Sequence, residues 1–414
     1  MIEDNSNTRI PIIRFQGFNG EWEKKKIGDI AIVLQGYGFP EKYQGQKYGD
    51  LPFCKVGDIS SAVDRGEMVI NKADNFVDYS LLPVLHAQPI PVGSTIFAKI
   101  GEAIRSNKRI RTGVPCLIDN NAAAVKSKGE ISDTFLFYLM SKVNLADYSG
   151  GIVPSVNKST IEAIDVLVPS SRDEQQKITE CLEAIDQMIS AQNQRVESLK
   201  AHKKGLLQQL FPQPGATTPA LRFPGFTGDW KVKKLGEIAD VNPKSDKLPN
   251  KFVYIDLESV ESGNLLKKNI IEVKNAPSRA QRLLKKGDIL FQMVRPYQRN
   301  NYHFYDNDGN VYVASTGYAQ IRYKDCSEYL YQYLHTDTFV DMAVSKCVGG
   351  NYPAINTTDL TNITVCLPSL AEQQKIAECL ETLDNLIAAE SKKLDSLKAH
   401  KKGLMQQLFP QPEK

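Results

Sequence analysis

The phrase AHKKGLLQQLFPQP, Ala201 to Pro214, returns as AHKKGLMQQLFPQP, Ala399 to Pro412, and it closes a much longer repetition. RFQGFNGEW at Arg14 to Trp22 comes back as RFPGFTGDW at Arg222 to Trp230. EQQKITECLEAID from Glu174 comes back as EQQKIAECLETLD from Glu372. A weaker echo links GGIVPSVNKSTIEAIDVLVPS, from Gly150, to GGNYPAINTTDLTNITVCLPS, from Gly349. A chain written twice folds as two copies of one unit. Here the ends match while the interiors differ in sequence and length, as in a duplicated scaffold whose two inserts perform different tasks. Drift after duplication leaves the same pattern.

The matching tails restrict the fold further. Ile178, Leu182, Ile185, Ile189, Gln192, Val196, Leu199, Lys203, Leu206 and Leu210 step by four and three, the a/d seam of a coiled coil. The second copy repeats it with Ile376, Leu380, Leu383, Ile387, Glu390, Leu394, Leu397, Lys401, Leu404 and Leu408. Two helices of about 35 to 40 residues, each about 55 Å long, are expected, ended by Pro212 and Pro410. A seam this narrow must face another helix, and the other copy offers the matching one. An intramolecular antiparallel coiled coil follows, with pseudo-two-fold symmetry and one globular domain at each end. The polar seam positions either set the register or, with Gly205 and Gly403 nearby, mark fraying or a kink.

The expected segments are a first mixed domain at 1–171, a helix at 172–212, a second mixed domain at 213–370 and a helix at 371–410. The fold class is α+β. Short strand-like runs (GDIAIVLQ, STIFAKI, FVYIDL, GDILFQMV, NVYVAS) fill the inserts, and SDTFLFYLMSKV and SEYLYQYLHTDTFV read as matching helices. The 414 residues, 42% hydrophobic and 24% charged, suit a protein that folds in water. The opening MIEDNSNTRI lacks the features of a secretory signal, and no long apolar run reads as a membrane span, so a cytoplasmic location is expected. Seven cysteines without a C-x-x-C pair read as reduced thiols, with no metal site.

A net charge of +3 is too mild to announce a nucleic-acid binder, so its distribution matters. After an equivalent glycine, Gly93 or Gly287, each insert has a strand and then a basic, Asn-containing loop. The first, KIGEAIRSNKRIR, carries Lys99, Arg105, Asn107, Lys108, Arg109 and Arg111. The second, RPYQRNNYHFY, carries Arg295, Tyr297, Gln298, Arg299, Asn300 and Asn301, with Arg279 and Arg282 upstream. Arg pairs with guanine, Asn and Gln with adenine, and Lys with phosphate, so these are the candidate DNA-reading residues. Each loop alone reads better as a solvated loop with a few surface salt bridges; its recurrence after the same landmark shifts the reading towards function. The loop from Gly36, GYGFPEKYQGQKYGD, could share the task.

Catalytic patterns are missing. An amino-methyltransferase calls for Asn/Asp-Pro-Pro-aromatic, but Asn242-Pro243 is followed by Lys244, and NYPA at Asn351 has the wrong order. Gly36-Tyr37-Gly38 is a lone G-x-G, there is no Walker A sequence, and His202 and His400 stand among helical lysines. No catalytic residue is assigned.

These residues resemble a known family. RFxGFxGxW, a variable insert, EQQKI and a heptad helix ending LKAHKKGLLQQLFP, written twice, are similar to the specificity subunit of type I restriction and modification systems. LPFCKVGDI and APSRAQRLLKKGDILFQMVRPYQRN resemble that family's recognition-domain sequences. The resemblance implies a non-catalytic protein with two target recognition domains, each reading half of a split sequence in double-stranded DNA. It implies helices that act as a ruler and dock two methyltransferase subunits, with Ile178, Leu182, Ile185, Ile189, Leu199, Leu206, Ile376, Leu380, Leu383, Ile387, Leu397 and Leu404 in the coiled-coil or partner interface. S-adenosylmethionine, ATP and Mg would belong to modification and restriction subunits, and none to this chain. The rival readings are a protein-interaction scaffold without DNA contact and a fused pair of degenerate methyltransferase halves.

Overall fold

The computed structural model describes residues 9–306 and 308–410. The first eight residues of the polar opening segment, and Pro412 of the closing phrase, lie outside them. The chain forms two compact units: Met1–Val196 with Glu390–Lys414, and Glu197–Ala389. Each unit therefore takes the front half of one long helix and the back half of the other, so the boundary between the compact units falls inside both helices.

The helices run Arg172–Leu210 and Leu370–Leu408. Ser171 and Ser369 open them, each hydroxyl accepting from the backbone N–H three residues on, at 3.4 and 3.3 Å. They stop before Phe211 and Phe409, because Pro212 and Pro410 have no N–H to donate and both rings turn into the cores. Gly205 and Gly403 stay helical. Every position of both seams is buried or half-buried.

Within each unit the helix halves run antiparallel. In the first unit Asp186 pairs with Lys401 at 2.5 Å and Gln192 donates to Glu390 at 2.6 Å, partners rising on one helix as they fall on the other. In the second unit Lys203 pairs with Asp384 at 2.6 Å. These polar positions have a physical consequence for orientation. Parallel, in-register copies would set Lys203 beside Lys401 and Asp186 beside Asp384, like charge on like charge in a half-buried seam. The antiparallel arrangement replaces both repulsions with ion pairs. Tyr138 donates to Asp186 and Gln332 to Asp384, both at 2.8 Å, tying each insert to the same carboxylates.

The repeated phrases also explain how insert and helix are joined. Arg14 holds Glu174 through Nε and Nη2, both at 2.7 Å, and Trp22 donates its indole N–H to the same carboxylate at 3.3 Å. In the second unit Arg222 holds Glu372 the same way, at 2.7 and 2.8 Å. Trp22 packs edge-on against Phe409, and Trp230 against Phe211. The echo of R, W, E and F is thus one clamp made twice, except that the buried indole N–H of Trp230 has no hydrogen-bond partner among the described residues.

In the first unit a five-stranded sheet has the order Ala31–Gln35, Ala122–Ser127, Thr95–Ala98, Arg109–Thr112, Val69–Ile70, beside a three-stranded sheet of Asn75–Val77, Leu51–Cys54 and Leu117–Ile118. The second has Ala239–Val241, Tyr318–Tyr323, Ile289–Gln292 and Tyr302–His303 in one sheet. Its other four-stranded sheet has the order Asn269–Glu272, Lys251–Ile255, Tyr312–Ser315, Ala280–Leu283. Two local expectations are corrected. GDI at Gly28 belongs to a helical turn, Ile27–Ile30, before its strand begins. SEYLYQYLHTDTFV is two helices, Ser327–Tyr333 and Asp337–Ser345, because Thr336 caps the second by accepting from Phe339 N at 3.3 Å. The seven cysteines are free.

Candidate nucleic-acid interface

The two units build the same device after their landmark glycines. Gly93 and Gly287, at φ +81° and +87°, open the fully buried strands Thr95–Ala98 and Ile289–Gln292. Each strand runs into a 3₁₀ turn, Glu102–Ser106 or Pro296–Gln298, closed by a left-handed residue, Asn107 or Arg299. A hairpin from the weak GG echo then clips onto the strand end. In the first unit Gly101 N donates to Pro154 O at 2.8 Å and Val156 N to Lys99 O at 2.9 Å. In the second Arg295 N donates to Pro353 O at 2.7 Å and Ile355 N to Met293 O at 3.0 Å. Loop and hairpin tip therefore form one surface in each unit.

The first loop is less available than its sequence suggests. Arg109 lies on the strand Arg109–Thr112, 6% exposed, its guanidinium over the Phe97 ring at 4.8 Å and bonded to Asn107 Oδ1 at 2.8 Å and Lys108 O at 3.0 Å. Burial pulls its pKa down to about 9, which still leaves it charged at neutral pH. Arg111 reaches Thr134 at 2.5 Å and Glu183 of the long helix at 3.1 Å. Both arginines are structural in this arrangement. Asn107 also donates to Ser141 O at 3.2 Å. Lys99 meets Gln35 and, half-buried, has its pKa lowered by desolvation. Lys108 pairs with Asp64 at 2.7 Å, and exposed Arg105 with Glu102 at 2.9 Å. Exposed ion pairs of this kind are worth under about 1 kcal/mol and exchange readily for phosphate.

The second loop divides the same way. Asn301 is 1% exposed, accepting from Gln292 N at 2.8 Å with its amide 3.4 Å from His335 Nε2. Asn300 accepts from Ser262 N at 3.1 Å. Arg299 spans His335 O at 3.1 Å and Asp337 at 2.5 Å. These three shape the loop. Tyr297 is half exposed, Gln298 is exposed and accepts from Gln292 at 2.8 Å, and Arg295 lies 4.2 Å over the Tyr352 ring while donating to Asn351 O at 3.1 Å. Upstream, Arg279 is exposed, whereas Arg282 is half-buried and its pKa is lowered by desolvation. In the loop from Gly36, the G-x-G is a packing feature: a Cβ on Gly36 would stand 1.7 Å from Asp119 O. Tyr48 of that loop is 86% exposed.

His335 gives the second loop a pH dependence. Its Nδ1 faces Tyr331 O at 2.8 Å and must donate, leaving Nε2 to accept from Asn301. Burial lowers the pKa of His335 to about 4 and that of nearby His303 to about 4, outweighing the opposing pull of Asp384 on one and of Glu328 and Asp288 on the other. Unfolded, both rings protonate near pH 6.5, so the unfolded chain binds more protons between about pH 6.5 and 4 and stability falls with pH across that window. The second unit is expected to lose about 2–3 kcal/mol between pH 7.5 and 5.5, and H335Q to remove about half of that dependence. Denaturant titrations at the two pH values read it directly.

Sequence reasoning pointed to the loops but passed over the hairpin tips. Their signal was present as a proline at the same place in both GG echoes. Among the described residues no cluster of three or more His, Cys, Asp or Glu could hold a metal ion, and no helix is long and apolar enough to cross a membrane. The family model described as the type I restriction modification DNA specificity domain matches residues 19–201 and again residues 227–399. The chain belongs to this family. The two matches fall on the two copies, and each includes a landmark strand, its loop and its hairpin. Similar proteins carry the family's name. The specificity subunit of type I restriction enzyme MjaVIII from Methanocaldococcus jannaschii is 25% identical over 408 residues, spanning 94% of this chain and 92% of its own. That of HindI from Haemophilus influenzae is 32% identical over 169 residues, 38% of this chain and 36% of its own. A crystal structure of a type I S subunit from M. genitalium has the same fold, with TM-score 0.59 at 13% identity, covering 97% of this chain and 100% of that one. As a member of the specificity family, the chain is a DNA-recognition component and not a catalyst.

Proposed function

We propose that this chain reads a bipartite, gapped DNA sequence for a type I restriction and modification complex, one half-site for each insert. The observation that carries the reading is the same strand, 3₁₀ turn and hairpin made twice with different side chains at the surface. A shared frame with unlike readers predicts an asymmetric target. Base contact falls to the exposed members of the candidate set, Arg105 in the first unit and Arg279, Tyr297 and Gln298 in the second, together with the half-buried Lys99, Lys108 and Arg295. Arg109, Arg111, Asn300 and Asn301 hold those residues in place. The coiled coil fixes the number of unread base pairs and docks two adenine-N6 methyltransferase subunits. S-adenosylmethionine would be used by those subunits, and ATP and Mg by restriction subunits, in the cytoplasm where the DNA lies. The recognition domains are residues 1–171 and 213–370, joined by the helices.

The two inserts should be separable in function. Replacing residues 1–171 with the matching segment of a relative of different specificity, in a cell that also expresses a type I adenine methyltransferase subunit, is expected to change one half of the methylated sequence and leave the other half and the gap unchanged. Mapping N6-methyladenine across the genome reads this. A change in both halves would contradict the assignment of one half-site to each insert.

A further inference from the structure

We propose that the tips of the two equivalent hairpins, Gly150–Pro154 and Gly349–Pro353, enter a groove of the duplex beside the basic loops, a contact that rests on the DNA-reading role proposed above. At the first tip Ile152 is 104% exposed and Val153 60%, next to Tyr148 at 44%. An isoleucine this exposed is unusual, yet the backbone beneath it is firmly held. Gly150 N donates to Ser155 O at 3.4 Å, and the strand end adds the two bonds through Pro154 and Val156. Gly151, at φ +90°, makes the turn that presents Ile152 outward. The second tip is also closed by backbone bonds but turns at a different glycine: Val348 and Ala354 exchange both bonds at 3.0 Å, and Gly349, the counterpart of Gly150 rather than of Gly151, sits at φ +106°. Tyr352 there is 68% exposed.

Continuity with the basic loops selects DNA as the occupant. Gly101, whose N–H donates to the first hairpin, begins the turn bearing Arg105; Arg295, whose N–H donates to the second, lays its guanidinium on Tyr352. An apolar tip flanked by cations matches the wedge that groove-binding proteins insert at base steps, and an aromatic ring with an arginine matches a base-stacking platform. The two tips carry unlike chemistry, Ile-Val against Asn-Tyr, so each contributes to its own half-site.

The test uses the full chain in complex with its methyltransferase and a duplex bearing the sequence that the wild-type complex methylates. The double variant I152S/V153S and the single variant Y352A change exposed side chains, and their melting temperatures are checked against the wild type. Each is expected to weaken binding by about tenfold and to relax base preference only in its own half-site. Wild-type affinity and an unchanged methylation map in both variants would overturn the proposal while leaving the specificity reading intact. So would loss of methyltransferase binding in either variant, which would make the tip a protein-docking element. A wild-type complex that selects no DNA sequence would instead remove the reading on which the proposal rests.

Discussion

Seven residues inserted into each long helix, after Val196 and after Ala389, are expected to lengthen the unread gap by about three base pairs while leaving both half-sites unchanged. A heptad adds about 10 Å of helix at 1.5 Å per residue, and base pairs rise by about 3.4 Å. The points of insertion are where the two compact units part, so neither clamp nor recognition loop is disturbed. The seam survives because seven residues restore the a/d register. Both helices must be extended, since lengthening one alone would shift Lys203 from Asp384 or Lys401 from Asp186. Rotation sets the cost. A heptad turns an ideal helix about 20° short of two full turns, whereas three base pairs turn the duplex by about 100° at about 10.5 base pairs per turn. The longer protein is therefore expected to methylate its new target less efficiently than the parent methylates the old one. Mapping methylated sites in cells carrying the extended chain measures both effects, and an unchanged gap would show that the helices do not set it.

Replacing Glu174 with alanine is expected to destabilise the first unit by about 3–5 kcal/mol, the cost of breaking a buried ion pair from one side. The Glu174 side chain is 2% exposed and that of Arg14 only 14%, so the guanidinium loses its bidentate partner with little water to replace it. The buried indole N–H of Trp22 loses its acceptor as well. Against a typical domain stability of about 5–15 kcal/mol this is a large fraction. R105A, by contrast, breaks a pair whose side chains are 67% and 75% exposed, and should change stability by less than about 1 kcal/mol while weakening DNA binding. Denaturant unfolding of the two variants separates the structural Arg14–Glu174 ion pair from the candidate reader. A smaller loss for E174A than for R105A would reverse the assignment.

The features that repeat were the most legible in the sequence. A four-three spacing of apolar residues has few solutions, and the long helices end where Pro212 and Pro410 require. The clamp was visible as an echo of R, W and E but not as a contact, because residues so far apart in the chain announce no pairing. The burial of Arg109 and Arg111 was not legible for a specific reason. RIRT has one apolar residue among four and so lacks the alternation that marks a half-buried strand. The fold buries Arg109 anyway, using the Phe97 ring and backbone oxygens in place of a carboxylate. SEYLYQYLHTDTFV read as one helix because its apolar spacing continues through Thr336, whose capping role depends on local geometry. The hairpin tips were hidden because they lie far along the chain from the basic loops and so announce no contact; only the fold shows that they adjoin those loops.

The central claim is that this chain chooses the DNA sequence for an adenine methyltransferase. The most direct test is long-read mapping of N6-methyladenine in a methylation-free host that expresses a type I adenine methyltransferase subunit, with and without the chain itself. Methylation that appears only when the chain is present, on a single asymmetric sequence with a fixed gap, is the predicted result. Identical methylation in both cultures, or none in either although the two proteins copurify, would contradict it and favour a scaffold that does not read DNA.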